Sequence, residues 1–332
     1  VNNYLFVCKT TWEHFVTVLN CFTLYNTRGI KSDLIVESAP ENESYWEDLK
    51  RLPCFNTCTR FELSQNKMAK FLLFRLRTKL YIKWKLKNYL SNDWNVNIFV
   101  DQSVIGQTFI KNGKRVNLFE HGSGNYVVGA YPNHKFLKKI IGVTEGYGRS
   151  NLVDVIYLQH PEKSPTDIKH KVKKLEIEKI FNNLTKEQKG IIFKLFSVPL
   201  DLASGGTIIL TQPLSEDGFM PERKKIDIYK SMLNGNGTFY LKPHPREKTD
   251  YKRVLESDNV IVIDKKFPFE LINFIGIKFE KVMTVSSGAI YNFHYPIEAV
   301  VYGTEQYPEL VKPLGLVKYQ IIGKYDYDKI EY

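Results

Sequence analysis

"GTFYLKPHPRE", residues 237–247, begins as an apolar run and stops in a stiff polar loop. The first part reads as a strand over 237–244. Pro-His-Pro then follows Lys242 directly. Each proline fixes its own φ and removes a backbone donor. The residue before a proline is pushed out of the helical region, so His244 is restricted from both sides. A side chain held that stiffly at a strand end is placed to touch a ligand.

The same kind of run recurs along the chain. In the first half, strands are expected at 4–10, 32–38, 96–102, 115–121 and 153–159. In the second half they are expected at 206–212, 237–244, 259–264, 281–287 and 298–303. The runs are apolar rather than alternating, as in parallel strands covered on both faces. Helical stretches separate them, which implies βαβ units and open doubly wound sheets. The 332 residues fit about two domains of ~150 each. The expected division is a Rossmann-like domain over 1–160, a charged helical linker over 161–205 and a second Rossmann-like domain over 206–332. Such a pair encloses an interdomain cleft, and ligands of open α/β sheets bind beyond the carboxyl ends of the strands.

Hydrophobic residues make up 43% of the chain, which excludes a disordered protein. No run approaches the length of a membrane span. Cys8, Cys21, Cys54 and Cys58 read as free thiols in a reducing compartment, since no histidine pair stands beside them at zinc spacing. The net charge of +11 points to an anionic partner without choosing among nucleic acid, nucleotide and lipid.

Candidate chemistry gathers at the strand ends. The run ending at Glu120-His121 continues into Gly122-Ser123-Gly124, a turn that allows close backbone approach to a ligand. A carboxylate and an imidazole beside that turn are both candidates for a general base. The glycines come too late in the chain to be a dinucleotide fingerprint. Lys242, His244 and Arg246, with Pro245 between the last two, make a local anion site. Glu270 follows the next strand, either as favourable charge at a helix start or as an acceptor for ribose hydroxyls. Ser286-Ser287 precedes a helix-like segment, where hydroxyls and unpaired N–H groups suit a phosphate. Cation plus imidazole, carboxylate and paired serines on three successive strand ends describe a nucleotide site.

Glu120-His121-Gly122, His244-Pro245 and Ser286-Ser287, in that order, resemble the motifs of the bacterial sialyltransferases of glycosyltransferase family 52 and the related polysialyltransferases. The resemblance spans about 115–303; the first hundred residues carry no matching motif. It implies the GT-B arrangement and inverting, metal-independent transfer of sialic acid from CMP-sialic acid to a galactose-type hydroxyl of lipooligosaccharide or capsule. It implies that His244 bonds the phosphate and acts as general acid or electrostatic stabiliser. Ser286 and Ser287 would hold phosphate oxygens, Glu270 the ribose, and Lys242 would lie near the nucleotide. Gly122, Ser123, Gly124, Pro245 and Arg246 complete the expected nucleotide-binding set. The family has a second acidic residue where this chain has His121, so Glu120 is the favoured base and His121 the alternate.

The stretch 67–90 is dense in Lys and Arg, has no acid, and interleaves Phe71, Phe74, Tyr81 and Trp84. It reads as a membrane-surface helix, or as a core-packing helix with a solvated cationic face. With the family resemblance, it implies a cytoplasmic protein held peripherally at the inner face of the membrane. Asp326-Tyr327-Asp328, beyond the last expected strand, reads as a surface turn rather than a metal site, and no metal or cofactor is expected. Two rival readings remain: a CDP-polyol phosphate transferase of teichoic-acid type, and a non-catalytic polyanion-binding protein. No nucleic-acid-binding motif supports the second.

Overall fold

The computed structural model describes residues 3–38, 40–62, 80–91, 93–126, 146–255 and 257–325. The chain divides into two compact units, Val1–Ile192 and Phe193–Tyr332, each with its own sheet.

The first unit carries β1 (Asn3–Cys8), β2 (Ser32–Glu37), β3 (Phe55–Phe61), β4 (Trp94–Ile98), β5 (Val116–Phe119), β6 (Val153–Leu158) and β7 (Val172–Lys174). They form one parallel sheet in the order β3-β2-β1-β4-β5-β6-β7. All six residues of β2 are buried, as expected of a strand covered on both faces. Leu5, Ile98, Leu118 and Ile156 pack with Ile105 and Phe109 of helix α2 (Val104–Lys111). Helix α1 (Thr11–Arg28) fills much of the core with Phe15, Leu19 and Phe22, all fully buried. Each such side chain contributes about 1.5–3 kcal/mol through burial. A capping box starts α1: the Thr10 hydroxyl accepts from the Glu13 amide while the Glu13 carboxylate accepts from the Thr10 amide. Gly29, at φ +66°, ends it in the left-handed conformation that glycine adopts most easily.

The second unit carries β8 (Thr207–Leu210), β9 (Phe239–Lys242), β10 (Val260–Val262), β11 (Lys281–Thr284), β12 (Ile297–Val301) and β13 (Gln320–Tyr325). Their order is β10-β9-β8-β11-β12-β13, with only β13 antiparallel to its neighbour. Ile209, Leu241, Met283 and Val300 pack with Ile228, Tyr229 and Met232 of helix α3 (Glu222–Met232).

All ten expected strands are present. Three more, β3, β7 and β13, complete the sheets. The stretch expected to be a linker belongs largely with the first unit. Its β7 pairs with β6, and Leu175, Ile177 and Phe181 are buried. The reason is local: "VKK" has no apolar run to mark a strand, yet the apolar residues after it anchor the segment. The four cysteines are free, three of them buried. Among the described residues no helix is long and apolar enough to cross a membrane. Asp326-Tyr327-Asp328 and residues 67–79 lie outside the described residues.

Candidate functional site

In the first sheet the strand order reverses between β1 and β4, so the crevice beyond these strand ends is where an open α/β sheet binds ligands. Glu120 and His121 extend β5, the next strand along. Glu120 is 6% exposed and surrounded by donors. Its Oε2 accepts from the Tyr126 hydroxyl at 2.6 Å and the Gln159 amide nitrogen at 2.7 Å, and its Oε1 accepts from Gln159 Nε2 at 3.1 Å. Burial raises its pKa, while these hydrogen bonds act in the opposite direction.

His121 differs in both exposure and partner. Its side chain is 43% exposed, and its Nδ1 lies 2.6 Å from Glu13 Oε1. The hydrogen bond to Glu13 raises its pKa; partial burial and Lys9 oppose that. The turn that follows is tied by Asn125, whose Oδ1 accepts from the backbone of His121 at 3.0 Å and of Gly122 at 3.3 Å. Trp12 Nε1 donates to the Glu120 carbonyl at 3.0 Å, fixing the start of α1 against the end of β5. A Cβ on Gly124 would stand 3.0 Å from the Tyr147 ring, so a larger residue there would have to displace that side chain. Thus Gly122 and Gly124 sit beside the base candidates in the first unit, apart from the other expected nucleotide residues in sequence and in unit. Glu13, Tyr126 and Gln159 were not anticipated. Only Glu13 carried a sequence signal, the Thr10-x-x-Glu13 capping pattern.

The second sheet reverses between β8 and β11. Gln212, just past β8, bridges that point: its Oε1 accepts from the Ser286 backbone at 2.9 Å and the Ser286 hydroxyl at 3.2 Å. Sequence reasoning missed Gln212 as well. The Ser287 hydroxyl accepts from the Ala289 amide at 3.3 Å. The helix expected after these serines is a single 3-10 turn, Gly288–Tyr291, because Pro296 and β12 follow too closely for a longer one. It is too short to lend a helix dipole to a phosphate. Glu270 stands in another short 3-10 segment, Phe269–Phe274, and its Oε1 accepts from Asn292 Nδ2 at 3.4 Å. Asn292 caps the turn after the serines, so the carboxylate and the serine segment are joined.

At the end of β9, His244 to Glu247 form a turn closed by the Glu247 amide donating to the His244 carbonyl at 3.0 Å. Pro245 occupies its second position, where a fixed φ is favoured. Glu247, 1% exposed, accepts from the His244 amide at 2.9 Å, from the Thr211 hydroxyl and from the Tyr251 hydroxyl. Fully buried Lys225 stands 3.6 Å from Glu247 and 2.9 Å from Glu216. The loop therefore rests on a buried, charge-compensated network that was not foreseen. Arg246 pairs with both oxygens of Asp217, at 2.6 and 3.1 Å.

The Arg246 amide donates to His244 Nδ1 at 3.2 Å. Burial, with Arg246 and Lys242 nearby, lowers the His244 pKa to about 4, so the ring is neutral near pH 7. With Nδ1 accepting, the proton of the neutral ring is on Nε2, ready to donate. Lys242 is 5% exposed, and its ammonium donates to the Pro243 and Lys265 carbonyls. Burial lowers its pKa to about 8, with Glu270 acting against the shift. It therefore braces the loop from inside. Among the described residues, no three His, Cys, Asp or Glu stand together to hold a metal ion.

Residues 40–308 match glycosyltransferase family 52. The chain belongs to that family. It is a glycosyltransferase of the bacterial sialyltransferase family, which sets aside the non-catalytic reading. An uncharacterized protein of Haemophilus influenzae is 35% identical over 210 residues, covering 61% of this chain and 67% of that one. The fold of this family 52 chain resembles the GT-B domain of a sialyltransferase from Photobacterium damselae, with a TM-score of 0.53 at 10% identity over 88% of each chain. It also resembles a UDP-GlcNAc 2-epimerase from Neisseria meningitidis bound to UDP-GlcNAc, with a TM-score of 0.52 at 14% identity over 98% of this chain and 88% of that one. At such identities the likeness is one of fold alone.

Proposed function

We propose that this family 52 enzyme transfers sialic acid from CMP-sialic acid to a galactose-type hydroxyl of a bacterial surface glycan, with inversion and without a metal. The observation that carries the reading is the edge of the second sheet. There His244, with its proton directed to Nε2 by the Arg246 amide, shares the strand ends with Ser286, Ser287 and Glu270. The donor's phosphate binds His244 Nε2–H and the serine segment, and Glu270 receives the ribose. Lys242, Arg246 and Pro245 fix the loop. The acceptor oxygen attacks the anomeric carbon as the bond from that carbon to the phosphate oxygen breaks. The electron pair of the broken bond leaves on CMP, and the acceptor proton passes to the Glu120–His121 pair. Attack opposite the leaving group inverts the centre. Preorganised donors at the departing phosphate are the main source of rate enhancement.

CMP release from CMP-sialic acid, with and without lactose, tests the reading. Release stimulated by lactose and unchanged by EDTA is expected. Absence of release overturns the donor assignment, and loss in EDTA restored by a divalent ion overturns the metal-free mechanism.

The acceptor class brings the enzyme to a membrane surface. Among the helical residues 80–85, Ile82 faces the core while Leu80, Tyr81 and Trp84 are 67%, 52% and 67% exposed. Lys83, Lys85 and Lys87 are exposed beside them. Apolar and aromatic groups interleaved with cations fit the interface of an anionic bilayer.

A further inference from the structure

We propose that Glu13 and His121 form the catalytic dyad of the first unit, in which His121 Nε2 takes the acceptor proton and Glu13 is its positioning residue. This rests on the transfer reaction proposed above and decides between the two base candidates.

The geometry separates them. Both carboxylate oxygens of Glu120 are occupied by Tyr126 and Gln159, and the group is buried. Three of its roughly four acceptor positions are taken and the carboxylate is buried, so it is poorly placed to reach an acceptor sugar. Among the described residues His121 has one nitrogen bonded, and its side chain is half-exposed. Glu13, 1% exposed, accepts from Nδ1–H, which leaves the Nε2 lone pair for a substrate proton. The roles balance through the step. The hydroxyl O–H bond breaks as the oxygen bonds the anomeric carbon, the proton goes to Nε2, and the resulting imidazolium faces the Glu13 carboxylate. The pair thus does what a second carboxylate does at this position of the family motif, with the negative charge supplied from another element.

Glu13 is held for this purpose. Its other oxygen accepts from the Lys9 and Thr10 amides, so the helix cap and the dyad share one carboxylate. Lys9 faces the pair from the end of β1 and opposes protonation of the ring. Glu37, at the end of β2, is buried near Lys9 and Glu13 and is itself raised in pKa by that burial. Glu120 adjoins on the same loop.

Two variants test the dyad. Glu13→Gln removes the charge and leaves one acceptor oxygen, which can serve the cap amides or Nδ1–H but not both. His121→Asn removes the base at a half-exposed position. Thermal melts verify folding. His121→Asn is expected to lower transfer at least about a hundredfold while CMP binding is kept. For Glu13→Gln, the acidic limb of kcat/KM moves to lower pH and kcat falls. The imidazole resonance missing from the His121→Asn spectrum identifies His121, and its NMR titration in Glu13→Gln follows the same downward shift. Parent-like turnover of His121→Asn, or an unmoved His121 titration in Glu13→Gln, overturns the dyad. A parent that neither binds CMP nor releases it from CMP-sialic acid refutes the donor reading instead. The NMR titration still reports on the dyad in that case.

Discussion

His244 is neutral near pH 7 in the free protein, with Nδ1 accepting from the Arg246 amide, and in the proposed reaction the phosphate becomes the partner of Nε2. Burial and two cations hold its pKa to about 4, and an anion at Nε2 acts in the opposite direction. Binding therefore favours proton uptake, and CMP affinity strengthens as pH falls from 7 toward 6. His244→Ala is expected to lose that pH dependence and to turn over about a hundred- to a thousandfold more slowly. Calorimetry with CMP at two pH values checks the first, and CMP-sialic acid turnover the second. CMP bound as tightly by His244→Ala as by the parent rules out the phosphate role. Glu120→Gln acts on the fold. It places an amide among three donors that now meet a carboxylate. A cost of about 1–3 kcal/mol in stability is expected, read from urea unfolding. An unchanged midpoint shows that the three donors do not depend on the carboxylate.

The short parallel strands were legible because apolar runs such as "SDLIVE" and "KVMT" are buried on both faces. The three that escaped, β3, β7 and β13, all stand at sheet edges. An edge strand is covered less and can be polar: in β3 only Phe55 and Phe61 are buried. The strand-end residues were likewise readable as types, and the networks that hold them were not. Lys225 and Gln212 lie in unremarkable sequence, and Glu247 ends the loop stretch itself, but their importance comes from contacts distant in sequence, Lys225 with Glu247, Glu247 with Thr211 and Gln212 with Ser286. The element at 80–85 carries its own prediction. Sedimentation with vesicles rich in anionic lipid should bind the protein, zwitterionic vesicles much less, and salt should weaken the binding. Trp84→Ala together with Lys83→Ala and Lys85→Ala should reduce it severalfold with CMP binding unchanged. Equal sedimentation of this variant and the parent removes the helix from the membrane reading.

On the scale of the whole molecule, two units with separate cores share one feature: each holds a histidine neutral near pH 7. In the second unit it is His244. In the first it is His14, fully buried on α1, with Nδ1 2.7 Å from the Tyr45 hydroxyl and, among the described residues, no hydrogen bond to Nε2. Burial lowers the His14 pKa to about 3. In the unfolded chain the ring titrates near its ordinary value of about 6.5. Between these values the unfolded state binds the extra proton, so stability is full above pH ~6.5 and falls as pH drops toward 3. All four tryptophans, Trp12, Trp46, Trp84 and Trp94, lie in the first unit, so their fluorescence reads that unit alone. His14→Gln keeps a polar partner for Tyr45 and removes the titration. Followed by tryptophan fluorescence, the parent's melting temperature should drop steeply from pH 6.5 to 4, and that of His14→Gln less so, by the equivalent of up to one proton. The pH dependence of CMP binding proposed for His244 should be the same in both proteins. Parallel fluorescence slopes for parent and variant would show that His14 does not control the acid stability of the first unit.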